Sequence, residues 1–235
     1  MKKTIRLTVG NVETSGAEAI VNAANRHLKT GRGVCGAIYA AAGVTELETY
    51  VADHFEGCRT GRAVVTPAFG ISGSKYVLHA VGPIYSEYTP LEAARLLRKA
   101  YHSIFELCYS LGVKNVGVVA ISSGIYGYPV EDVANIAADE AMRTPYKGDI
   151  TFYVWQDNLA VFEKAFASIL TPAIPVIVDK CAVCDLPADH IDHIGLPGMG
   201  IDHPFKSSLQ PVAPVSDPVD ASTRKVFTMD DPAVV

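Results

Sequence analysis

The sequence predicts an α/β sandwich with a mixed, largely parallel central sheet, and three observations carry that expectation. Short β-branched runs alternate with helical patterns through the first 170 residues. The run Val116–Ile121 is apolar throughout, as in a strand covered on both faces. Two glycine-bearing loops stand where a strand gives way to a helix, which is where such sheets bind ligands.

Taken in order, Thr4–Val9 alternates and is rich in β-branched residues, so it reads as a strand. Ala19–Val21 is a second, short one. Gly33–Ala42 is small and apolar and stops at Gly43, and Val44–His54 continues as a polar helix. Ala63–Thr66 and Tyr76–Val81 are further strands. Leu91–Leu111 carries a long helical period and closes at Gly112. After the Val116–Ile121 strand, Pro129 precedes a helix over Val130–Met142, Thr151–Trp155 is a strand, and Leu159–Leu170 is the last helix.

Composition narrows the function classes. With 235 residues, 49% of them hydrophobic, the chain can bury a sizeable core. No apolar run approaches the ~20 residues that cross a bilayer. Met1-Lys2-Lys3 is followed by only a short strand-like stretch before Gly10-Asn11, so no export signal is read. Five cysteines, an odd number, favour reduced thiols, and the cytoplasm is the expected compartment. The formal charge of −5 lies entirely after residue 170, where nine Asp meet four Lys/Arg. Nine of the fourteen prolines fall there too. This shift sets a boundary near residue 171, and the first 170 residues are formally neutral. Broad nucleic-acid binding, which needs a basic face, is disfavoured, and a monomer is expected.

The first loop reads VNAANRHLKTGRGVCGAIYAAAG (Val21–Gly43), the second SSGIYGYP (Ser122–Pro129). Gly31, Gly33, Gly124 and Gly127 let the backbone pass close to a ligand, and each loop opens a helix whose first N–H groups are unpaired. Two such loops facing each other suit a pyrophosphate held by backbone amides. Ordinary α/β turns are punctuated by glycine in the same way.

Five blocks in order resemble the macrodomain family, whose members bind ADP-ribose: Val9-Gly10-Asn11-Val12, AEAIVNAAN (Ala17–Asn25), GRGVCGAIYAAAG (Gly31–Gly43), KYVLHAVGP (Lys75–Pro83) and SSGIYGYP. The resemblance spans about Thr4 to Leu170 and implies a three-layer α/β/α sandwich. It implies that Asn25 hydrogen-bonds the distal ribose, using the donor and acceptor of its carboxamide; a turn-capping Asn is the alternative. Gly31, Gly33 and Val34 match the loop against the distal ribose and pyrophosphate. Ser122, Gly124, Ile125, Tyr126 and Gly127 match the second phosphate loop, with Tyr126 either over the ribose or a plain core aromatic. Asn22 matches a group that ties the loop together, and Val12 and Asn11 lie by the adenine. Asn11 stands where the family usually has an Asp that accepts from the adenine amino group. Trp155 or Gln156, ending the last strand, is placed near the adenine, with Trp155 either a stacking platform or a buried core residue.

The family's macroD-type hydrolases place an Asp and a His where this chain has Cys35 and Tyr39. The GVC-x-AIY pattern is closer to the alphavirus-type macrodomains, regarded as hydrolases of protein ADP-ribosylation without a dedicated side-chain base. The resemblance thus implies hydrolysis of mono-ADP-ribosyl esters, with Asn25, Cys35 and Tyr126 the candidate catalytic residues and no cofactor for the domain. A reader that releases ADP-ribose unchanged, or a phosphatase of ADP-ribose-1″-phosphate, are the alternatives. Cys35 at a helix start could have a lowered pKa or be a small packing residue. His79 reads as a satisfied core histidine and His27 as exposed.

The extension divides into a Cys/His segment, 171–205, and a Pro/Asp-rich tail, 206–235, read as flexible. Cys181 and Cys184 form a C-x-x-C, followed by His190, His193 and His203. Thiolates and imidazoles are zinc ligands, and a short segment poor in apolar groups gains most from a metal staple. The Cys184–His190 spacing is tighter than in common zinc fingers, so a linker with incidental Cys and His is the alternative.

Overall fold

A computed structural model of the chain describes residues 3–170 and 226–228. Its elements run β1 (Thr4–Val9), β2 (Ala19–Ala23), α1 (Val34–Ala42), α2 (Val44–His54), β3 (Arg62–Pro67), β4 (Tyr76–Val81), α3 (Pro90–Ser110), β5 (Asn115–Val119), α4 (Val130–Arg143), β6 (Asp149–Val154), α5 (Leu159–Leu170) and β7 (Val226–Thr228). The sheet has the order β3-β4-β2-β5-β6-β1-β7. The pairs β2–β4, β2–β5, β5–β6 and β6–β1 are parallel, while β3 and β7 run antiparallel to β4 and β1. Helices α1 and α2 pack together on one side, and α3, α4 and α5 pack side by side on the other. This is the expected three-layer sandwich.

Strands β2, β4 and β5 are buried from both sides, which is why their sequences carry no polar alternation, whereas β6 alternates half-buried with buried residues. Ile20, Val21, Val77, Leu78, Val118 and Ile150 are all sealed from solvent. Helix α3 begins as its sequence dictates: Thr89 caps it by accepting from the Glu92 amide at 3.3 Å, with Pro90 in the first turn. Phe152 of β6 packs between Phe162 and Phe166 of α5, with ring centroids 6.4 and 5.1 Å away, so that α5 covers the β6 edge of the core.

Four differences from the sequence reading bear on the site. The strand read as Val116–Ile121 leaves the ladder after Val119, so Ala120 and Ile121 begin the loop. The strand read as Thr151–Trp155 starts at Asp149 and ends at Val154, which frees Trp155. Gly33 lies just outside α1, at φ 59°, a left-handed conformation open to glycine. The fourth lies in the tail read as flexible: Val226–Thr228 forms a strand on the outer edge of β1, with Phe227 opposite Ile5. Val, Phe and Thr favour extended backbone, and β1 offers an otherwise open edge.

Tyr101 of α3 holds the end of β5 in place. Its hydroxyl donates to the Val119 carbonyl at 3.2 Å and accepts from the Ile121 amide at 3.0 Å, with no exposure to water. Tyr101→Phe leaves both backbone groups buried without a partner, a loss of about 1–3 kcal/mol. Urea unfolding should show a lower midpoint with an unchanged slope.

Candidate active site

Strands β1, β2, β5 and β6 all point their carboxyl ends to one edge of the sheet, and the loops that leave them enclose two adjoining cavities of about 280 and 240 Å3. Gly33, Val34, Ser123 and Trp155 line both.

The first glycine loop, residues 24–33, is built around Asn25. Its side-chain oxygen accepts from the amides of His27 (3.1 Å) and Lys29 (3.3 Å), and its nitrogen donates to the Lys29 carbonyl at 2.6 Å. This corrects one expectation: the acceptor of the carboxamide is spent on the loop, and what remains for a ligand is one N–H. Asn25 therefore caps the turn, and it also lines the larger cavity. Leu28, at φ 54°, is buried, and its carbonyl accepts from the Tyr39 hydroxyl of α1. No side chain caps α1, so the amides of Val34, Cys35 and Gly36 open toward the cavity that Val34 and Cys35 line.

The second glycine loop, residues 120–129, is pinned at its base by Tyr101 and by Tyr128, whose amide donates to the Ser122 carbonyl at 3.0 Å. The amides of Gly124, Ile125 and Tyr126 have no acceptor among the described residues. Gly124, Ile125 and Tyr126 line the larger cavity, with Ile125 largely exposed on its rim. Gly127 does not line it. At φ 64° it turns the loop back by donating to the Gly124 carbonyl at 2.9 Å. Ser122 sits at φ 66° with its hydroxyl buried and without a partner, a local strain of the kind that collects at functional sites.

Asn11, Val12 and Tyr153 line the smaller cavity. The Asn11 carboxamide makes no hydrogen bond among the described residues, whereas its carbonyl accepts from Thr14. Trp155 borders both cavities and is 61% exposed, so of its two readings the buried one is excluded.

Behind the cavity four side chains form a relay that leaves one atom over, the buried Asn22 Oδ1, which has no partner among the described residues. The Thr66 hydroxyl donates to the Pro67 carbonyl at 2.9 Å, so it must accept from His79 Nε2 at 3.0 Å. His79 Nδ1 is then the acceptor for the Asn22 carboxamide, also at 3.0 Å. The second N–H of Asn22 reaches Cys35 Sγ at 3.7 Å, and that thiol donates to the Lys29 carbonyl at 3.8 Å. Asn22, fully buried, thus lies behind the site, not in it: it ties the loop and contacts no cavity. Cys35 lines the cavity, and burial pushes its thiol up, which supports the small packing residue of its two readings over a thiol lowered by the helix start. Burial of the neutral relay outweighs the helix dipole here. His79 is the satisfied core histidine expected, held neutral by burial with its pKa down at about 4. His27 is exposed.

Of the lining residues that the sequence reading did not single out, two bear most on the site. Gly82 ends the β4 block, and a Cβ there would meet Ser122 Oγ at 2.2 Å, so only glycine lets β4 approach the second loop. The KYVLHAVGP block contained it without showing what it touches. Arg32, between the two glycines already singled out, is the one charged side chain that lines the larger cavity among the described residues. Cys181, Cys184, His190, His193 and His203 lie outside the described residues.

A family model described as the Macro domain matches residues 21–137. An O-acetyl-ADP-ribose deacetylase of Enterobacter sp. strain 638 is 43% identical over 171 residues, 70% of this chain and 94% of that protein. The chain belongs to the macrodomain family. A macro domain-containing protein of Caldanaerobacter subterraneus is 37% identical over 72% of this macrodomain chain and 99% of its own. Among solved structures, the Oceanobacillus iheyensis macrodomain with ADP superposes with a TM-score of 0.67 at 28% identity, covering 72% of this chain and 93% of that one. The Trypanosoma brucei macrodomain in complex with ADP-ribose gives 0.59 at 33% identity, with 68% of each chain covered.

The relay gives this macrodomain a defined response to acid. An unfolded histidine titrates near 6.5, above the folded value of about 4, so the unfolded state binds the extra proton between them. The contribution of His79 is complete above about pH 6.5 and is lost as the pH falls toward about 4. Urea midpoints at about pH 7.5 and about pH 4.5 should fall more in the native chain than in His79→Gln, which has no proton to take up.

Proposed function

We propose that the cleft binds ADP-ribose and that the protein hydrolyses mono-ADP-ribosyl esters, on Asp or Glu side chains or in O-acetyl-ADP-ribose. One observation carries the reading: two runs of unpaired backbone amides, Val34–Gly36 and Gly124–Tyr126, belong to loops that line one cavity holding a single charged side chain. A pyrophosphate satisfies such amides without a basic patch. Trp155 and Asn11 at the smaller cavity offer a stacking face and a free carboxamide for a purine. Asn25 offers its remaining N–H to a ribose hydroxyl at the other end. The deacetylase relatives lend support at the level of the family.

The chemistry asks little of a proton-transfer group. Hydrolysis of the ester consumes one water and gives ADP-ribose and a carboxylic acid, whose carboxylate is a stable leaving group near neutral pH. Neither a carboxylate nor an imidazole lines the larger cavity. Catalysis here therefore rests on holding ribose and water in register and on amides aimed at developing charge. Cys35, with its thiol raised by burial, packs against the ligand instead of attacking it. Tyr126 likewise has its hydroxyl raised, by burial first, and serves as a neutral wall and donor. The missing base also favours a second reading, a reader that binds ADP-ribose and releases it unchanged.

One sample decides between them. Release from a peptide mono-ADP-ribosylated on an acidic residue should exceed that of an Asn25→Ala control; binding of ADP-ribose with no such release would leave only the reader. Trp155→Ala should weaken ADP-ribose by about 1–3 kcal/mol, the worth of one base–aromatic stack, as read by titration calorimetry. An unchanged affinity would remove Trp155 from the site.

A further inference from the structure

Charge surrounds the cleft unevenly. Arg26, Lys29 and Arg32 stand within seven residues of the first glycine loop, all exposed, with no acid between them. None is ion-paired among the described residues, whereas Arg6, Lys75, Arg98 and Arg143 each have a carboxylate partner. The carboxylate of Glu48, close enough to feel the Lys29 charge, is engaged elsewhere: it accepts from the Thr30 amide at 3.2 Å and the Thr30 hydroxyl at 2.6 Å. The other loops of that edge carry Glu13, Glu56, Arg59, Glu87 and Asp157, with Glu56 and Arg59 in the turn whose Cys58 amide donates to the Arg26 carbonyl at 2.8 Å, and the second glycine loop carries no charge. Arg32 lines the larger cavity, and the Arg26 charge reaches the Tyr126 hydroxyl. The side chains of Arg26 and Lys29 line neither cavity.

We propose that this strip docks an acidic peptide segment flanking the modified residue of an ADP-ribosylated protein, an inference that rests on ADP-ribose binding in the cleft. Free guanidinium and ammonium groups at the rim would meet carboxylates on either side of the residue whose ADP-ribose fills the cavity. Arginine forks suit carboxylates in particular. The strip is too short and too bare for a nucleic-acid strand. Residues 24–33 hold no Phe, Tyr or Trp on which bases could stack. Nor do residues 1–170, formally neutral, supply the extended cationic track that a phosphate backbone needs.

The test titrates the full chain with four probes at about 50 mM and about 500 mM salt. These are ADP-ribose, two peptides carrying ADP-ribose through a hydrolysis-resistant linkage with Glu/Asp or Ser/Gln flanks, and a DNA oligonucleotide with ADP-ribose on its 5′ phosphate. At low salt the acidic-flank peptide should bind about 5-fold tighter than the neutral one, the worth of two or three exposed ion pairs, and high salt should erase most of that gain. In the double variant Arg26→Gln/Lys29→Gln the ratio of the two peptide affinities, each taken relative to that variant's own affinity for ADP-ribose, should fall below about 2-fold. Equal affinities for the two peptides, a preference untouched by the double variant, or tighter binding of the oligonucleotide would each overturn the docking strip while the reading of the cleft stands. Failure of ADP-ribose itself to bind would overturn both.

Discussion

Backbone N–H groups left without an acceptor are the constraint on which the rest of this structure depends. A helix cannot satisfy its own first amides, and α1 has no side-chain cap to do so for it. The second glycine loop adds Gly124, Ile125 and Tyr126. Both sets are held in strained or left-handed backbone, at Leu28, Gly33 and Ser122, which persists only because neighbouring groups fix it. Tyr39 secures Leu28, Tyr101 and Tyr128 secure the base of the second loop, and Gly82 makes room for Ser122. The buried tyrosines and histidine are thus the rigid backing of a surface made of main chain.

That division explains what the sequence could and could not reveal. The strands and helices were legible because their periods are strong: Val44–His54, Tyr76–Val81 and Leu159–Leu170 appear with the bounds read from composition. The glycine loops were legible through their punctuation. The orientation of single side chains was not. An Asn in NAAN suits both capping a turn and reading a ribose, and only the two bonds from the His27 and Lys29 amides show that its oxygen is occupied. Gly82 lies 40 residues from Ser122, so its need for a missing Cβ is invisible along the chain. Cys35 left two readings open for a related reason, since its position suggests a helix dipole while its burial, a tertiary property, decides its protonation.

The relay from Thr66 to Cys35 links these levels. It joins the antiparallel edge strand β3 to the first turn of α1 through four side chains with no exposed member. Low local dielectric strengthens each of these bonds and raises the cost of breaking one. The edge of the sheet and the ligand loop are therefore held as one rigid body, although 30 residues separate Cys35 from Thr66.

The spent oxygen of Asn25 has a consequence for what the cleft can distinguish. With that acceptor gone, the larger cavity presents hydrogen to its occupant from loop amides, the Asn25 nitrogen and the Arg32 guanidinium. Recognition becomes one-handed: an occupant rich in oxygen is welcomed, and an amine or ammonium finds few partners. Inorganic phosphate and sulfate are oxygen-rich in the same sense, so the apparent strength of any nucleotide here will depend on the anion of the buffer in which it is measured.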